Sequence, residues 1–252
     1  MEAYTSFAQV YDTFMDNVPY EEWTEYIADI LKEYGIDGGI VLELGCGTGS
    51  MTELLADRGY DMIGVDNSED MLQMAMDKRT KSGHSILYLL QDMREFELYG
   101  TVCAVVSACD SVNYITDPED LLEVFRLVNN YLDPRGIFIF DFNTEYKYRE
   151  VLGEQVIAED RDDCSFIWDN YYDNEEQINE YELTLFVKEA ENEPLYRKYQ
   201  ETHYQRAYTL EHIQSLLKKA GLVFLSAYDA YTKDAPLSSS ERICVVAQEL
   251  GK

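Results

Sequence analysis

The spacing of apolar residues changes several times along the chain, and each change predicts a new element. Over the first forty residues apolar side chains recur every three or four positions, which predicts helix as far as Gly35, Gly38 and Gly39. The apolar runs that follow are continuous, and each precedes a segment with helical spacing. We therefore predict five strands alternating with helices, with the strands at residues 40–44, 62–65, 86–90, 102–107 and 137–141.

Acidic residues stand at the ends of these apolar runs. Asp66, Asp92 and Asp110 follow the second, third and fourth runs, and Asp141 ends the fifth. Alternating strands and helices are typical of a parallel sheet covered on both faces, which binds ligands at the carboxyl ends of its strands. We expect a ligand site where these carboxylates meet.

The second half of the chain has a different pattern. Residues 146–205 contain two-residue alternation separated by acidic turns, which predicts an inserted antiparallel β lobe, placed to cover the ligand site. Residues 1–145 and 206–252 then form the main domain. After a helix at 210–220, strands at 223–228 and 243–248 have no helix between them, so we expect an antiparallel hairpin. The predicted fold class is α/β, a doubly wound, mostly parallel seven-stranded sheet with this terminal hairpin and the inserted lobe.

Composition restricts the partners. The 252 residues include 20 Lys and Arg against 49 Asp and Glu, a formal net charge of −29, with 46% hydrophobic residues, enough for a sizeable core. A surface this negative repels phosphate backbones and anionic lipids, so nucleic acids, tRNA included, and membranes are disfavoured. No stretch approaches the roughly 20 apolar residues of a bilayer span, and the first residues lack a secretory pattern, so we predict a cytoplasmic protein.

Cysteines and histidines give no metal or disulfide pattern. The five cysteines are odd in number, form no C-x-x-C pair and lie mostly in apolar segments, which predicts reduced thiols. His84, His203 and His212 are scattered without zinc-ligand spacing, so no metal site is predicted.

A glycine-rich turn, residues 45–49, follows the first predicted strand. A nucleotide phosphate loop requires a lysine after its last glycine, and this chain has Ser50 and Met51 there. A dinucleotide fingerprint has its third glycine one position later, so an NAD-dependent oxidoreductase is disfavoured and stays an alternative. A third pattern has an acidic residue two positions before the first of three alternating glycines. This chain matches it with Glu43 and with Gly45, Gly47 and Gly49.

Four motifs in order resemble the class I S-adenosylmethionine-dependent methyltransferases, and the resemblance covers essentially the whole chain. They are VLELGCGTG at 41–49, GVDNS at 64–68 followed by Met71 and Leu72, QDM at 91–93 and LDPRG at 132–136. The segment at 4–12 and the inserted lobe resemble those of small bacterial-type enzymes. The resemblance implies a Rossmann-like methyltransferase fold, S-adenosyl-L-methionine as cofactor, and methyl transfer to a small molecule.

The resemblance also implies a set of cofactor-binding residues. Glycines let the backbone approach the methionine moiety, Asp66 can accept from ribose hydroxyls, and Asp92 with the Met93 amide can hold adenine. The implied cofactor residues are Tyr11, Glu43, Gly45, Cys46, Gly47, Gly49, Asp66, Asn67, Met71, Gln91, Asp92, Met93 and Cys109.

Candidate residues for the acceptor side are less constrained. Asp110 and His203 are the candidate catalytic residues, since either side chain can take a proton from an amine. The candidate substrate-binding residues are Tyr4, Asn113, Asp141, Asn143, Trp168 and Tyr171. Structural alternatives stay open, because Asp110 could cap a turn, His203 could be a hydrogen-bonded core residue and the tyrosines could simply pack.

The expected chemistry is an in-line displacement, which requires the nucleophile and the methyl group within about 3 to 3.5 Å. An acid-rich pocket with aromatic faces favours an amine-like, small-molecule acceptor. The alternatives are an NAD-dependent oxidoreductase and a cofactor-binding or protein-interaction module without turnover. A homodimer also stays open.

Overall fold

A computed structural model describes residues 8–189 and 195–252, apart from the side chain of Gln9. The helices are α1 (Ala8–Phe14), α2 (Tyr20–Glu33), α3 (Ser50–Asp57), α4 (Glu69–Ser82), α5 (Pro118–Tyr131) and α6 (Leu210–Lys219). The strands are β1 (Gly39–Leu44), β2 (Tyr60–Asp66), β3 (Leu87–Leu90), β4 (Val102–Ser107), β5 (Leu132–Asn143), β6 (Val156–Asp160), β7 (Cys164–Asp173), β8 (Ile178–Lys188), β9 (Tyr196–Arg206), β10 (Leu222–Asp229) and β11 (Arg242–Glu249). A 3₁₀ turn covers Ser111–Tyr114, and a π-helical turn covers Lys147–Leu152.

Seven strands form the main sheet in the order β10-β11-β5-β4-β1-β2-β3. Neighbouring strands are parallel from β5 to β3, whereas β11 pairs antiparallel with both β5 and β10. The predicted α/β class, the mostly parallel sheet and the terminal hairpin are therefore confirmed.

The core lies on both faces of this sheet because alternate residues of each strand face opposite sides. Phe138 and Phe140 of β5 pack with α5 and α6, while Ile139 packs on the other face with α2 and α3. Since both faces are covered, both sets of positions must be apolar. This double burial explains the continuous apolar runs in the sequence.

Strand order reverses between β1 and β4, which places the ligand crevice. The chain passes from β1 outward through β2 and β3, then returns to β4 on the other side of β1. The helices that follow β1 and β4 therefore leave in different directions, and a crevice opens at the carboxyl ends. The glycine turn follows β1, and Cys109 and Asp110 follow β4.

Two local predictions change. Within the described residues 8–40 the helical pattern divides into α1 and α2, because Pro19, immediately before α2, has no backbone N–H to donate to a preceding turn. The fifth strand, predicted from residue 137, begins at Leu132 in the structure, and its start is irregular and holds Arg135 at φ 69°. Ser68 and Asp117 cap α4 and α5, since their side chains accept from the amides of Met71 and Glu119.

Strands β6 to β9 form a separate antiparallel sheet in sequence order. One of its faces is apolar and packs against α1, where Val10 and Phe14 contact Leu183 and Leu185. This second sheet confirms the antiparallel strands predicted for the inserted segment. Within the described residues, no helix is long and apolar enough to cross a membrane.

Candidate active site

A cavity of about 240 Å³ lies at the carboxyl ends of β1, β2 and β4. Twelve of the thirteen predicted cofactor residues line it: Tyr11, Glu43, Gly45, Cys46, Gly47, Asp66, Asn67, Met71, Gln91, Asp92, Met93 and Cys109. Gly49 differs, because it precedes α3 at φ +75° and a Cβ there would collide with the Tyr88 hydroxyl. Its small size serves packing beneath the turn.

The glycine turn has a shape that other residues would disturb. Gly45 and Gly47 have φ angles of +72° and +52°, and the amides of Gly45 and Cys46 donate to the Val65 carbonyl at 2.8 and 3.1 Å. A Cβ at Gly45 would lie 2.5 Å from Ser111 Oγ, whereas one at Gly47 would meet no protein atom within 4 Å. The turn therefore leaves open space beside its backbone for a ligand.

Asp66 ends β2 and holds the glycine turn. Its Oδ2 accepts from the Gly47 amide at 2.8 Å, and its Oδ1 accepts from the Ser68 amide at 2.9 Å. Each carboxylate oxygen keeps a further lone pair, so the side chain can still accept from a diol. Burial raises the pKa of Asp66, although the amide hydrogen bonds counteract this effect.

Glu43 is the most buried acid of the cavity wall, with 4% of its surface exposed. Thr52 donates its hydroxyl to Glu43 Oε2. Desolvation dominates and raises the pKa of Glu43 to about 8. A cationic group in the cavity would favour the ionised carboxylate.

Asp92 is held by Arg94. The guanidinium contacts both carboxylate oxygens, at 2.5 and 2.9 Å, and it also reaches Asp120 at 3.3 Å. The hydrogen bonds from Arg94 lower the pKa of Asp92. Asp92 is therefore an ionised acceptor whose position the arginine fixes, and its contact with adenine stays a prediction.

These donors and acceptors fit S-adenosylmethionine. The wall offers ionisable acids for an ammonium and a sulfonium, a carboxylate for vicinal hydroxyls, and glycine backbone that leaves room for the ligand. Among the described lining residues, Arg94 is the one basic side chain, and Asp92 pairs with it. The wall therefore favours a cationic ligand.

Asp110 and Asp141 do not line the cavity, which differs from the expected proton-acceptor and substrate roles. Asp141 is 2% exposed and accepts from the amides of Cys109 and Asp110 at 3.0 and 2.6 Å. It also accepts from the Tyr231 hydroxyl and from Arg242 Nη1 at 2.8 Å. Its carboxylate is fully used in holding the loop after β4.

The carboxylate of Asp110 is occupied in the same way. Its Oδ1 pairs with Arg242 Nη2 at 2.5 Å, and its Oδ2 accepts from Gln205 Nε2 at 2.7 Å. Cys109 and Asp110 have φ angles of 56° and 55°, a left-handed conformation that costs non-glycine residues energy. Asp141 and Arg242 hold this loop in place.

Asn113 and Asn143 join three segments behind the cavity. Asn113 is fully buried; its Nδ2 donates to the carbonyls of Asn143 and Arg206 at 3.0 and 2.8 Å, and its Oδ1 accepts from the Asn143 amide at 2.9 Å. These bonds tie the 3₁₀ turn to β5 and β9. The two asparagines have a structural position rather than the expected one on the pocket wall.

Trp168 and Tyr171 of β7 also lie away from the cavity. Trp168 stacks on Tyr181 with ring centroids 4.1 Å apart, and Tyr171 is 52% exposed. Tyr4 lies outside the described residues. The aromatic rings that line the cavity are instead those of Tyr11, Tyr20 and Tyr114. The sequence did not single out Tyr20 or Tyr114 as candidates.

His203 lies behind the wall and is 1% exposed. Its Nδ1 is 3.3 Å from the hydroxyl of Tyr114, and its Nε2 is 3.3 Å from Glu201 Oε2. Neither Tyr114 nor Glu201 was predicted from the sequence as a partner of His203. Two-residue periodicity could have indicated Glu201, which shares a strand face with His203.

Helix α1 joins the cavity rim to the second sheet. Asp12 accepts from the Thr48 hydroxyl at 2.6 Å and pairs with Lys78 at 2.7 Å, which ties α1 to the glycine turn and to α4. Arg161 of the second sheet's β6–β7 connection pairs with Asp16 at 2.7 Å. Tyr11 is thereby held over the cavity.

Several known proteins are similar to this chain in sequence. A family profile described as a methyltransferase domain matches residues 41–136. YqeM of Bacillus subtilis (strain 168), which is named as a methyltransferase, is 36% identical over 247 residues, covering 98% of this chain and 97% of the relative. The dTDP-3-amino-3,4,6-trideoxy-alpha-D-glucopyranose N,N-dimethyltransferase of Streptomyces venezuelae is 31% identical over 136 residues, covering 53% of this chain and 56% of that protein.

A solved structure is similar over the full length. The S-adenosylmethionine-dependent methyltransferase from Clostridium acetobutylicum ATCC 824 has a TM-score of 0.88 and 30% identity, with 99% of this chain and 100% of that chain covered. A likeness that extends over nearly all of both chains, in sequence as well as in fold, shows that this protein belongs to the class I S-adenosylmethionine-dependent methyltransferases and uses S-adenosylmethionine as its cofactor.

Proposed function

We propose that the protein transfers the methyl group of S-adenosylmethionine to the nitrogen of a small amine. The observation that carries this proposal is the cavity wall, where the hydroxyls of Tyr11, Tyr20 and Tyr114 face the acceptor and the acids Glu43 and Asp66, assigned to the cofactor, make the surroundings negative. Acids and phenols attract an amine and accept hydrogen bonds from it. The Streptomyces venezuelae relative, whose name gives an amino sugar as its substrate, supports the same class.

We further propose that the amine carries no nucleotide. A diphosphate linked to the acceptor would bring negative charge toward a protein whose formal net charge is −29. The one basic side chain among the described lining residues, Arg94, is paired with Asp92. The wall therefore lacks a free cation for a diphosphate, and like charges lower the association rate and the affinity.

The acceptor site in this proposal lies at the end of β4. Cys109, Ser111 and Tyr114 line that end of the cavity, and α1 covers it through Tyr11. Coverage by α1 and the second sheet would exclude water and align the nitrogen with the methyl group, which is most of what a displacement requires. The five cysteines carry free thiols, which suits the cytoplasmic location that we also propose.

The test is transfer of labelled methyl from S-adenosylmethionine to four matched probes. They are 3-amino-3,4,6-trideoxyglucose, its dTDP-linked form, the sugar with a hydroxyl in place of the amine, and a carboxylate analogue. We expect label in the free amine at a higher kcat/KM than in the dTDP-linked amine, and none in the last two. Label confined to the hydroxyl or the carboxylate would refute amine methylation. A preference for the dTDP-linked amine would refute the second proposal alone.

A further inference from the structure

A chain of polar side chains leads from the cavity wall into the second sheet. Tyr114 lines the cavity, and its hydroxyl is 3.3 Å from His203 Nδ1 and 2.7 Å from the Tyr181 hydroxyl. On the far side of the imidazole, Nε2 is 3.3 Å from Glu201 Oε2. His203 and Glu201 are 1% and 2% exposed, so this chain is shielded from solvent.

The imidazole ring is held in one plane. It stacks on the ring of Tyr181 with centroids 4.6 Å apart and an angle of 5° between the planes. Tyr181 is in turn stacked on Trp168 at 4.1 Å. The ring of Tyr114 meets the imidazole edge-on at 5.9 Å, which directs its hydroxyl at the ring nitrogen. These contacts fix the plane of the imidazole ring.

Glu201 selects the tautomer of His203. A carboxylate oxygen 3.3 Å from Nε2 favours the tautomer with its proton on Nε2, which leaves Nδ1 as the acceptor. The hydroxyl of Tyr114 then faces Nδ1 and can donate to it. The hydroxyl of Tyr181 contacts that of Tyr114 in turn. The three groups are arranged as in catalytic sites where a carboxylate orients a histidine and the histidine accepts a proton from a hydroxyl.

We propose that Tyr114 is the catalytic residue that takes the proton released by amine methylation, with His203 and Glu201 as positioning residues behind it. The proposal rests on the amine methylation proposed above. The nitrogen lone pair forms the new N–C bond, and the electron pair of the broken S–C bond stays on sulfur. As this bond forms, the nitrogen gives a proton to Tyr114 Oη, while the proton of Tyr114 moves to His203 Nδ1 and the imidazolium faces the Glu201 carboxylate.

Asp110, the other candidate for this role, is less suited to it. One of its carboxylate oxygens is paired with Arg242 and the other accepts from Gln205. It does not line the cavity, whereas Tyr114 does. Among the described residues, the titratable groups that face His203 are Tyr114 from the 3₁₀ turn, Tyr181 from β8 and Glu201 from its own strand.

The first test does not need an acceptor. Imidazole ¹⁵N spectra of the full-length protein with S-adenosylhomocysteine would be assigned through the variants His84→Gln and His212→Gln. We expect His203 in the Nε2–H tautomer, with an Nδ1 resonance that shifts in Tyr114→Phe. Tyr204→Phe, on the same strand and 49% exposed, is the matched control that leaves this resonance unchanged. An Nδ1–H tautomer, or no shift in Tyr114→Phe, overturns the proposal.

The second test measures the rate with 3-amino-3,4,6-trideoxyglucose as the probe. We expect kcat to fall about 100-fold in Tyr114→Phe and His203→Gln, because general-base contributions have this size, with unchanged affinity for S-adenosylhomocysteine. The wild-type kcat should rise with pH through the midpoint that the spectra give for His203, and this rise should be absent in His203→Gln. A kcat within threefold of wild type in Tyr114→Phe, or a retained rise in His203→Gln, overturns the relay.

The two proposals fail separately. If the probe is not methylated at all, amine methylation of this sugar fails, and the ¹⁵N spectra still decide whether the relay exists. If the probe is methylated but Tyr114→Phe retains its rate, the proposed function stands and the relay is wrong.

Discussion

The two ends of the cavity are built differently. At the cofactor end, the glycine turn is fixed by a side chain 19 positions away, where Asp66 accepts from the Gly47 amide. At the proposed acceptor end, Asp110 pairs with Arg242 and Gln205, which are 132 and 95 positions away. The cofactor end is therefore assembled by neighbouring strand–turn units, and the acceptor end by long-range tertiary contacts. Mutations should separate the two ends, with cofactor affinity affected at the first and stability at the second.

Arg242→Met should give the largest effect and test whether the acceptor end is mainly a scaffold. It leaves Asp110 and Asp141 without the cation between them, and breaking a buried pair of this kind costs about 3 to 5 kcal/mol. Urea unfolding measures the loss. The exposed Arg126→Met is the control, expected within about 0.5 kcal/mol of wild type. Equal losses in the two variants would contradict the scaffold role.

Glu43→Gln should change how stability depends on pH at the cofactor end. The folded-state pKa is raised to about 8 from an ordinary 4.5, so the unfolded chain releases this proton first as pH rises. The group's favourable contribution is complete below pH 4.5 and is lost as pH rises toward 8, by at most about 1.4 kcal/mol per pH unit.

We therefore expect the stability of Glu43→Gln relative to wild type to increase between pH 5 and pH 8, measured by urea unfolding without cofactor. The exposed Glu22→Gln should show no such trend. A difference between Glu43→Gln and wild type that stays constant with pH would show that Glu43 is ionised throughout.

Asp66→Ala should weaken cofactor binding more than it weakens the fold. Removal of a charged acceptor costs about 1.5 to 3 kcal/mol, which corresponds to an affinity for S-adenosylhomocysteine lower by roughly 10- to 100-fold. Calorimetry measures the affinity, and Asp61→Ala, an exposed residue of the same strand, is the matched control. An affinity within twofold of wild type would contradict the assignment of Asp66 to the cofactor.

Lys78→Met should give the smallest effect and sharpen the boundary between the two ends. The Lys78–Asp12 pair is partly exposed, and pairs of this kind contribute about 0.2 to 1 kcal/mol. We expect cofactor dissociation, measured by stopped flow, to become about two- to fivefold faster because α1 is held less firmly. Lys32→Met, which removes an exposed pair on α2, should leave the rate unchanged. Equal rates in all three proteins would mean that α1 does not control cofactor release.

The residues that the sequence assigns to the cofactor lie together in the structure because the information that places them is local. Strand, turn and helix appear within a few residues of Gly45 and Asp66, and a parallel sheet brings strand ends together whatever the details of packing. The same reasoning located the loop after β4. It could not predict that Asp141 accepts from the amides of that loop, because this depends on the relative twist and register of β4 and β5.

The aromatic residues of the second sheet show more clearly which contacts could not be predicted from the sequence. Alternation of apolar and polar residues predicted the strand that holds Trp168. The direction in which the Trp168 side chain points depends instead on the register between neighbouring strands. Trp168 lies opposite Leu183, so Tyr181 is its diagonal neighbour and the indole stacks there rather than facing the cavity. His203 was predicted as a candidate base, but its partner Tyr114 is 89 positions away on a short turn without a periodic pattern.

The arrangement around Asp141 has a consequence for protein engineering. The exit of the chain from β4 is set by a residue of β5 and by Arg242, the first residue of β11. A loop transplanted from a relative into positions 109–114 would arrive without the partners that hold its left-handed residues. Exchanging the loop after β4 with its conformation preserved therefore requires the matching ends of β5 and β11 to be exchanged with it as one unit.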